Sequence, residues 1–333
     1  MRSKGAAPLS AAARKARLVR TYLRGAPVHC TWQLGPRCES FCHLCEHRAE
    51  SAGDELDAAG CARVADELGR EASLLVTFTG SEPFLRSDLV EIVAAAARRH
   101  FPLLVTNGWL VTEARARALW KAGLEAATVA IEHADPAAHD AVVGLPGAHA
   151  RAVGALETLS KARTRRSQRV NVRTRLRGED AGGLPGLLAL AARHDATVSV
   201  EAAYPLPQLN GDAAALVARL RELKARHANL RTGAAVLERM GEAMRGGTPG
   251  CAAGRAFFNV DHRGRVSKCV EFRAPADRLG TLGDEPLSAL RPKLKAVAEA
   301  NDCRACFYAS RAEIETLYTM RGLLGGLRTL VTS

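Results

Sequence analysis

The chain has 333 residues, 47% of them apolar, with 47 basic residues against 35 acidic ones and a formal net charge of +12. There is no apolar run of about 18 residues or more, and no apolar stretch follows a charged N-terminus ahead of a small-residue cleavage site. That argues against a membrane span or secretory signal and points to the cytoplasm. Nine cysteines are too few for a disulfide scaffold; seven of them fall in two sets, which in a reducing compartment reads as metal or cluster binding.

The first element is basic. Residues 1–24 carry Arg2, Lys4, Arg14, Lys15, Arg17, Arg20 and Arg24 and no acidic residue, seven of the twelve net charges. Leu9, Ala12, Ala13, Ala16, Val19 and Leu23 recur at helical spacing, and Gly25 and Pro27 end the pattern. Residues 1–27 therefore read as an amphipathic helix. It either packs on the protein's own body or makes a peripheral contact with an anionic membrane or acidic partner.

From residue 28 to about 230, β-branched and aliphatic runs alternate with helical stretches. Strands are predicted at 28–34, 74–79, 102–106, 127–132, 169–176 and 197–202. Helices are predicted near 54–70, 87–100, 112–123, 147–163, 183–194 and 212–228. Six such units without a nicotinamide fingerprint predict an α/β fold, a partial (β/α)6 TIM-like barrel, with its chemistry at the C-terminal ends of the strands. Residues 231–333 change pattern: a helical linker, then a β-hairpin around "DHRG" bounded by Cys251 and Cys269, then "CRAC" with Cys303 and Cys306. A tail from 312 is helical and apolar on one side, suited to covering a core. They read as a small separate module. Cys30 and Cys61 belong to neither set and read as buried apolar residues.

The loop after the first strand, "GPRCESFCHLCEH", places Cys38, Cys42 and Cys45 within eight residues. With His43 or His47 they would complete a zinc site, whereas three thiolates on a cubane cluster leave one iron open. A position at the barrel's catalytic rim gives a structural zinc knuckle little to hold.

Cys-x3-Cys-x2-Cys at this place resembles the radical S-adenosylmethionine (SAM) superfamily. "TGSEP" at the end of the second strand is similar to that family's Gly-Gly-Glu-Pro element, "TNG" ends the third strand, and residues 122–156 track its fourth βα unit. The resemblance covers about residues 28–228. It implies a 4Fe-4S cluster on Cys38, Cys42 and Cys45, with SAM chelating the open iron. Glu82 would accept from the SAM amino group, while Gly80, Ser81 and Pro83 would line its methionine part. It further implies reductive cleavage to a 5′-deoxyadenosyl radical that takes a hydrogen atom from substrate, with flavodoxin or ferredoxin as electron donor. Two positions depart: Ser81 replaces a glycine, and Ala130, Ile131 and Glu132 stand where a Ser-x-Asp sequence is common. A serine contact to the ribose is therefore not carried over, and Asn107 or Glu132 is its substitute.

Strand alternation adds a reading independent of any family. In "RVNVRTRL", Val170, Val172 and Leu176 share one face, which points Asn171, Arg173 and Arg175 into the barrel; Thr197, Ser199 and Glu201 point inward from the next strand. Buried arginines need anions. Arg173 and Arg175 are candidates for the SAM carboxylate or a substrate anion, Glu132 and Glu201 are candidate catalytic carboxylates, and an internal pair of Arg175 with Glu132 or Glu201 is the structural alternative.

By ligand count, Cys251, Cys269, Cys303 and Cys306 suit zinc or a cluster equally. Placed after such a barrel, they resemble the Twitch module, a shortened SPASM domain that carries an auxiliary 4Fe-4S cluster. That cluster would handle the electron of a substrate radical in a net oxidation or crosslinking. The resemblance implies a radical SAM oxidoreductase or peptide-modifying enzyme acting on a polar small molecule or a peptide. A lipid or membrane-borne substrate is the alternative. From the charge and cysteines alone, a zinc-stabilised nucleic-acid-binding protein is a further class, though the basic segment lacks aromatic residues for base stacking, and no nucleic acid is expected.

Overall fold

The computed structural model describes residues 7–40, 54–176, 181–202, 213–246, 250–272 and 274–318. Cys42, Cys45, His43 and His47 lie outside the described residues. Helix α1 (Ala11–Leu23) is started by Ser10, whose hydroxyl accepts from the Ala13 amide. Six strand-helix units follow: β1 (His29–Gln33) with α2 (Ala58–Glu71), β2 (Leu75–Thr79) with α3 (Leu89–Ala97), and β3 (Phe101–Thr106) with α4 (Glu113–Ala122). Next come β4 (Ala126–Ala130) with α5 (Pro136–Val143) and α6 (Ala148–Ala162), β5 (Arg169–Leu176) with α7 (Leu184–Arg193), and β6 (Thr197–Ala202) with α8 (Ala213–Arg226). Helix α9 (Ala234–Gly246) leads to β7 (Phe257–Val260), β8 (Arg265–Ser267), β9 (Gly280–Thr281), α10 (Leu287–Glu299) and α11 (Ala309–Leu317). All six predicted barrel strands occur, the last two with the predicted limits.

The strands form one open sheet in the order β6-β5-β4-β3-β2-β1-β7-β8-β9, parallel from β6 through β7. Val76, Phe78, Val170, Val172, Val198 and Val200 are buried against the helices, leaving the alternate residues to face the barrel interior. The C-terminal hairpin is stitched into this sheet. β7 pairs with β1, Asn259 Nδ2 donates to Gln33 Oε1 at 3.2 Å, and the Leu287 amide donates to Glu67 Oε1 at 3.3 Å.

Helix α1 closes the floor of the barrel. Leu18, Tyr22 and Val28 form an apolar cluster with Phe101, Ile314 and Leu317. Buried Arg14 donates to the His100 carbonyl at 2.5 Å and the Ala97 carbonyl at 3.2 Å, and stacks over Phe101. Arg17 donates to the Gly69 carbonyl at 2.7 Å. Part of the basic segment's charge is thus used to cap helix C-termini on the protein itself. No helix among the described residues is long and apolar enough to cross a membrane.

Candidate active site

Two loops meet at the C-terminal ends of β1 and β2. Gly80 has a φ of +84°, and a Cβ there would lie 2.8 Å from Gln33 Cβ and 2.9 Å from the Gly35 carbonyl oxygen. Only glycine permits that approach. Ser81 Oγ donates to the Pro36 carbonyl at 2.6 Å, and the Glu82 amide to the Arg37 carbonyl at 3.0 Å. The rim loop that carries Cys38 is thereby laced to the "TGSEP" turn.

Arg86, which the sequence reading did not single out, clamps both ends of that loop. It donates to the Leu34 carbonyl at 3.1 Å and to the Leu56 carbonyl at 2.7 Å, held in turn by Asp88. Its only sequence signal is a basic residue just beyond the turn, which does not distinguish it from a surface arginine.

Glu82 is buried and takes three protein donors. Oε1 accepts from the Phe84 amide at 2.8 Å and Thr106 Oγ1 at 2.9 Å, and Oε2 accepts from the Asn107 amide at 2.7 Å. None carries a charge, so burial pushes its carboxyl up to about 7 against those hydrogen bonds, with Glu39 adding to the rise. Asn107 reaches the rim loop directly. Its Nδ2 lies 3.0 Å from Glu39 Oε1, 3.3 Å from Ser40 Oγ and 3.8 Å from Cys38 Sγ.

Below the rim, a cavity of about 960 Å³ occupies the barrel interior. Barrels of this kind usually fill their interior with branched apolar side chains. Here His29, Thr31, Thr77, Thr79 and Thr128 line it from β1, β2 and β4, and Asn171, Arg173, Arg175, Thr197, Ser199 and Glu201 from β5 and β6. The inward direction predicted for the last six holds.

Their pairing departs from the register. Arg175 stands opposite Glu201 in the ladder, yet its guanidinium turns to Glu132 across β4. Nη2 and Nε lie 2.6 and 3.0 Å from Oε1, and the Arg175 amide 3.0 Å from Oε2. Burial raises the Glu132 carboxyl, but the Arg175 cation and its hydrogen bonds outweigh this and hold it below the usual range. His139 fixes the same turn by accepting from the Glu132 amide at 3.0 Å.

Arg173 and Glu201 are brought together without being satisfied. Nε and Oε2 are 3.9 Å apart, beyond hydrogen-bonding distance, and both are buried without a hydrogen-bond partner among the described residues. Ser310 Oγ donates to Glu201 Oε1 at 3.3 Å. His29 Nδ1 in the cavity wall likewise has no hydrogen-bond partner among the described residues, and burial, with Arg311 nearby, draws that imidazole down to about 3.

In the C-terminal set, Cys251, Cys269 and Cys306 lie within each other's electrostatic reach. Asn301 ties the segments together, donating to the Cys251 carbonyl at 2.8 Å and accepting from Lys268 Nζ at 2.9 Å. Cys303 is half-buried. Among the described residues, no three His, Cys, Asp or Glu side chains gather around one point as a single metal ion requires. Cys30 and Cys61 are buried, as predicted.

The Radical SAM superfamily profile matches residues 32–191, from the first strand through α7. Residues 32–191 are a radical SAM superfamily domain. That superfamily implies a 4Fe-4S cluster and SAM. The mycofactocin maturase MftC of Mycolicibacterium smegmatis is 33% identical over 193 residues, 57% of this chain and 48% of the relative. The PqqA peptide cyclase of Gluconobacter oxydans is 34% identical over 136 residues, 40% of this chain and 38% of the relative. The chain spans less than half the length of these curated relatives.

Among solved structures, SuiB of Streptococcus suis bound to S-adenosylmethionine superposes with a TM-score of 0.65 at 14% identity, covering 87% of this chain and 70% of SuiB. The enzyme anSMEcpe with AdoMet and the Cp18Cys peptide gives 0.63 at 16% identity, covering 91% and 99%. At such identities the likeness is one of fold. It extends beyond the radical SAM barrel into the C-terminal residues.

Proposed function

We propose that this chain is a radical SAM enzyme that removes a hydrogen atom from a peptide, or a peptide-like polar molecule, held in the barrel. Cys38, Cys42 and Cys45 would hold the cluster. The laced rim fits this: Arg86 fixes both ends of the loop, and Asn107 reaches Cys38 from the end of β3. Gly80, Ser81, Pro83 and Glu82 would form the methionine side of the SAM site, with Glu82 keeping room on Oε2 for an amino N–H. The chemistry that cluster and SAM supply when bound is one-electron cleavage of the sulfonium and hydrogen abstraction by the resulting 5′-deoxyadenosyl radical.

The observation that carries the substrate reading is the unsatisfied pair in the cavity wall. Among the described residues Arg173 Nε and Glu201 Oε2 each lack a hydrogen bond, and buried polar groups in a finished site acquire one. A residue of an extended peptide offers both halves on one edge, its carbonyl to Arg173 and its N–H to Glu201. Glu132, by contrast, is committed to Arg175, which leaves Glu201 as the carboxylate available to substrate. The relatives named for peptide substrates, PqqA peptide cyclase and SuiB with its precursor peptide SuiA, support this class.

For Cys251, Cys269, Cys303 and Cys306 we favour a Twitch-type auxiliary 4Fe-4S cluster. One zinc draws its thiolates around a single atom, whereas a cubane spreads them over four irons. Three sulfurs in mutual electrostatic reach but not converging suit the wider group. All four ligands being protein thiolates, the site's use is electron transfer, and the net reaction an oxidation or crosslink.

Anaerobic reconstitution tests the reading. Expected are about eight irons per chain and reductant-dependent 5′-deoxyadenosine, which falls to background in Cys42→Ala. A peptide that is a substrate should show loss of two hydrogens by mass spectrometry after incubation with enzyme, SAM and reductant. Unchanged SAM cleavage in Cys42→Ala would reject the assignment of the rim cysteines.

A further inference from the structure

Arg311 stands outside every role assigned above. It lies in the first turn of α11, is 9% exposed, and directs Nη1 at Cys269 Sγ from 3.1 Å. Its guanidinium carbon is 4.2 Å from the Tyr308 ring centre and 5.5 Å from that of Phe257. Two rings thus hold the fork on that sulfur. The same side chain forms part of the cavity wall, beside Glu271, Tyr308 and Ser310. A guanidinium cannot shed its charge on burial and needs an anion to answer it. Its printed hydrogen bond goes to a sulfur of the C-terminal set, with the Glu271 carboxylate also in electrostatic reach, and at that sulfur a thiolate answers it where a neutral thiol does not. Arg311 therefore touches both the cavity and Cys269.

We propose, resting on the assignment of Cys251, Cys269, Cys303 and Cys306 to an auxiliary cluster, that Arg311 raises the reduction potential of that cluster from the cavity side. It is a positioning residue acting through Cys269. An N–H donor on a ligand sulfur and a buried positive charge both favour the more negative, reduced cluster. The effect is to make the auxiliary cluster the better acceptor for the electron left on the substrate after hydrogen abstraction. The arginine belongs to the wall the substrate would touch, so the site that receives the substrate and the charge that draws its electron away share one side chain.

The test is a redox titration followed by EPR on full-length, anaerobically reconstituted protein, as wild type, Arg311→Met and Arg311→Lys, with iron and zinc counted on each sample. In Arg311→Met the auxiliary signal should shift to lower potential by at least tenfold in the one-electron equilibrium, 59 mV. Arg311→Lys should shift it less, and the rim cluster should stay in place. Auxiliary midpoints matching wild type in both variants, with both clusters loaded, would overturn the role of Arg311 and leave the cluster assignment standing. Zinc in the C-terminal set, or only about four irons in wild type, would overturn the assignment and the proposal together, a result read before any variant is made. Should Arg311→Met lose iron, Arg311→Lys decides: a lowered midpoint supports the proposal, and an unchanged one refutes it.

Discussion

Two carboxylates, Glu82 after β2 and Glu132 after β4, are buried at the same end of the barrel in opposite electrostatic settings. Glu82 is held by two backbone amides and a threonine hydroxyl, all uncharged. Glu132 is held by a guanidinium and the backbone amide of the same arginine. The difference runs down the whole cavity wall. On β1, β2 and β4 the lining residues carry no acidic, lysine or arginine side chain and include Thr31, Thr77, Thr79 and Thr128, while β5 and β6 bring Arg173, Arg175 and Glu201. A neutral wall beside the cysteine rim suits a cofactor bound by backbone and hydroxyl groups. A charged wall opposite it, part satisfied and part not, suits the recognition of something that comes and goes.

The largest test breaks the satisfied pair. Arg175→Met leaves Glu132 buried without its cation, and such a loss costs about 3–5 kcal/mol. In a chain of this size that lowers the melting temperature by on the order of 4–7 °C. Glu132→Gln added to Arg175→Met should restore much of it, because no buried charge then remains. The sign with pH is fixed by the lowered Glu132 carboxyl. Its contribution is present above the ordinary carboxylate range and lost as pH falls through the folded value, so the gap between wild type and Arg175→Met should narrow in acid. Equal melting temperatures at neutral pH would remove the pair from the fold's support.

Glu82 should show the opposite sign. With its carboxyl pushed from 4.5 to about 7, the folded state holds the proton more tightly than the unfolded chain. Stability is then greatest below about pH 4.5 and declines as pH rises through 7, by roughly 3 kcal/mol in all. Glu82→Gln should flatten that slope in urea melts taken across this range. SAM should flatten it in wild type as well, if its amino group is what Oε2 receives. A wild-type slope that survives the substitution would trace to another group.

How much of this contrast was legible beforehand follows from how locally each part is encoded. The inward set of β5 could be read because "RVNVRTRL" alternates without interruption, and period 2 leaves no choice of face. The turn of Arg175 away from Glu201, its ladder neighbour, was not readable, since it depends on where Glu132 arrives from another strand. Helix α5 was missed although its signals were present: Asp135 caps the Ala138 amide at 2.8 Å, Pro136 opens the first turn, and Gly144 ends it with a left-handed φ of +67°. Its eight residues were too short for the periodicity to register. Arg311 was hidden differently. It stands just ahead of the tail read as a cover for a core, and no spacing rule marks a buried arginine aimed at a sulfur fixed some forty positions earlier.

The smallest expected effect sharpens the comparison most. Arg173 is the partner of Glu201 only at 3.9 Å, its side chain remains 24% exposed, and its Nε has no hydrogen bond to lose among the described residues. Arg173→Met should therefore cost about 1 kcal/mol in stability or less, well below Arg175→Met. If the half-made pair awaits an extended peptide, the same substitution should act on substrate instead: KM for the peptide rises, while 5′-deoxyadenosine formed without peptide stays near wild type. A peptide unit that loses one good hydrogen bond to a charged group costs about 1.5–3 kcal/mol, or roughly ten- to a hundredfold in binding. If stability falls as far as in Arg175→Met and KM stays put, Arg173 is a structural strut like its neighbour, and the two arginines of β5 do one job between them.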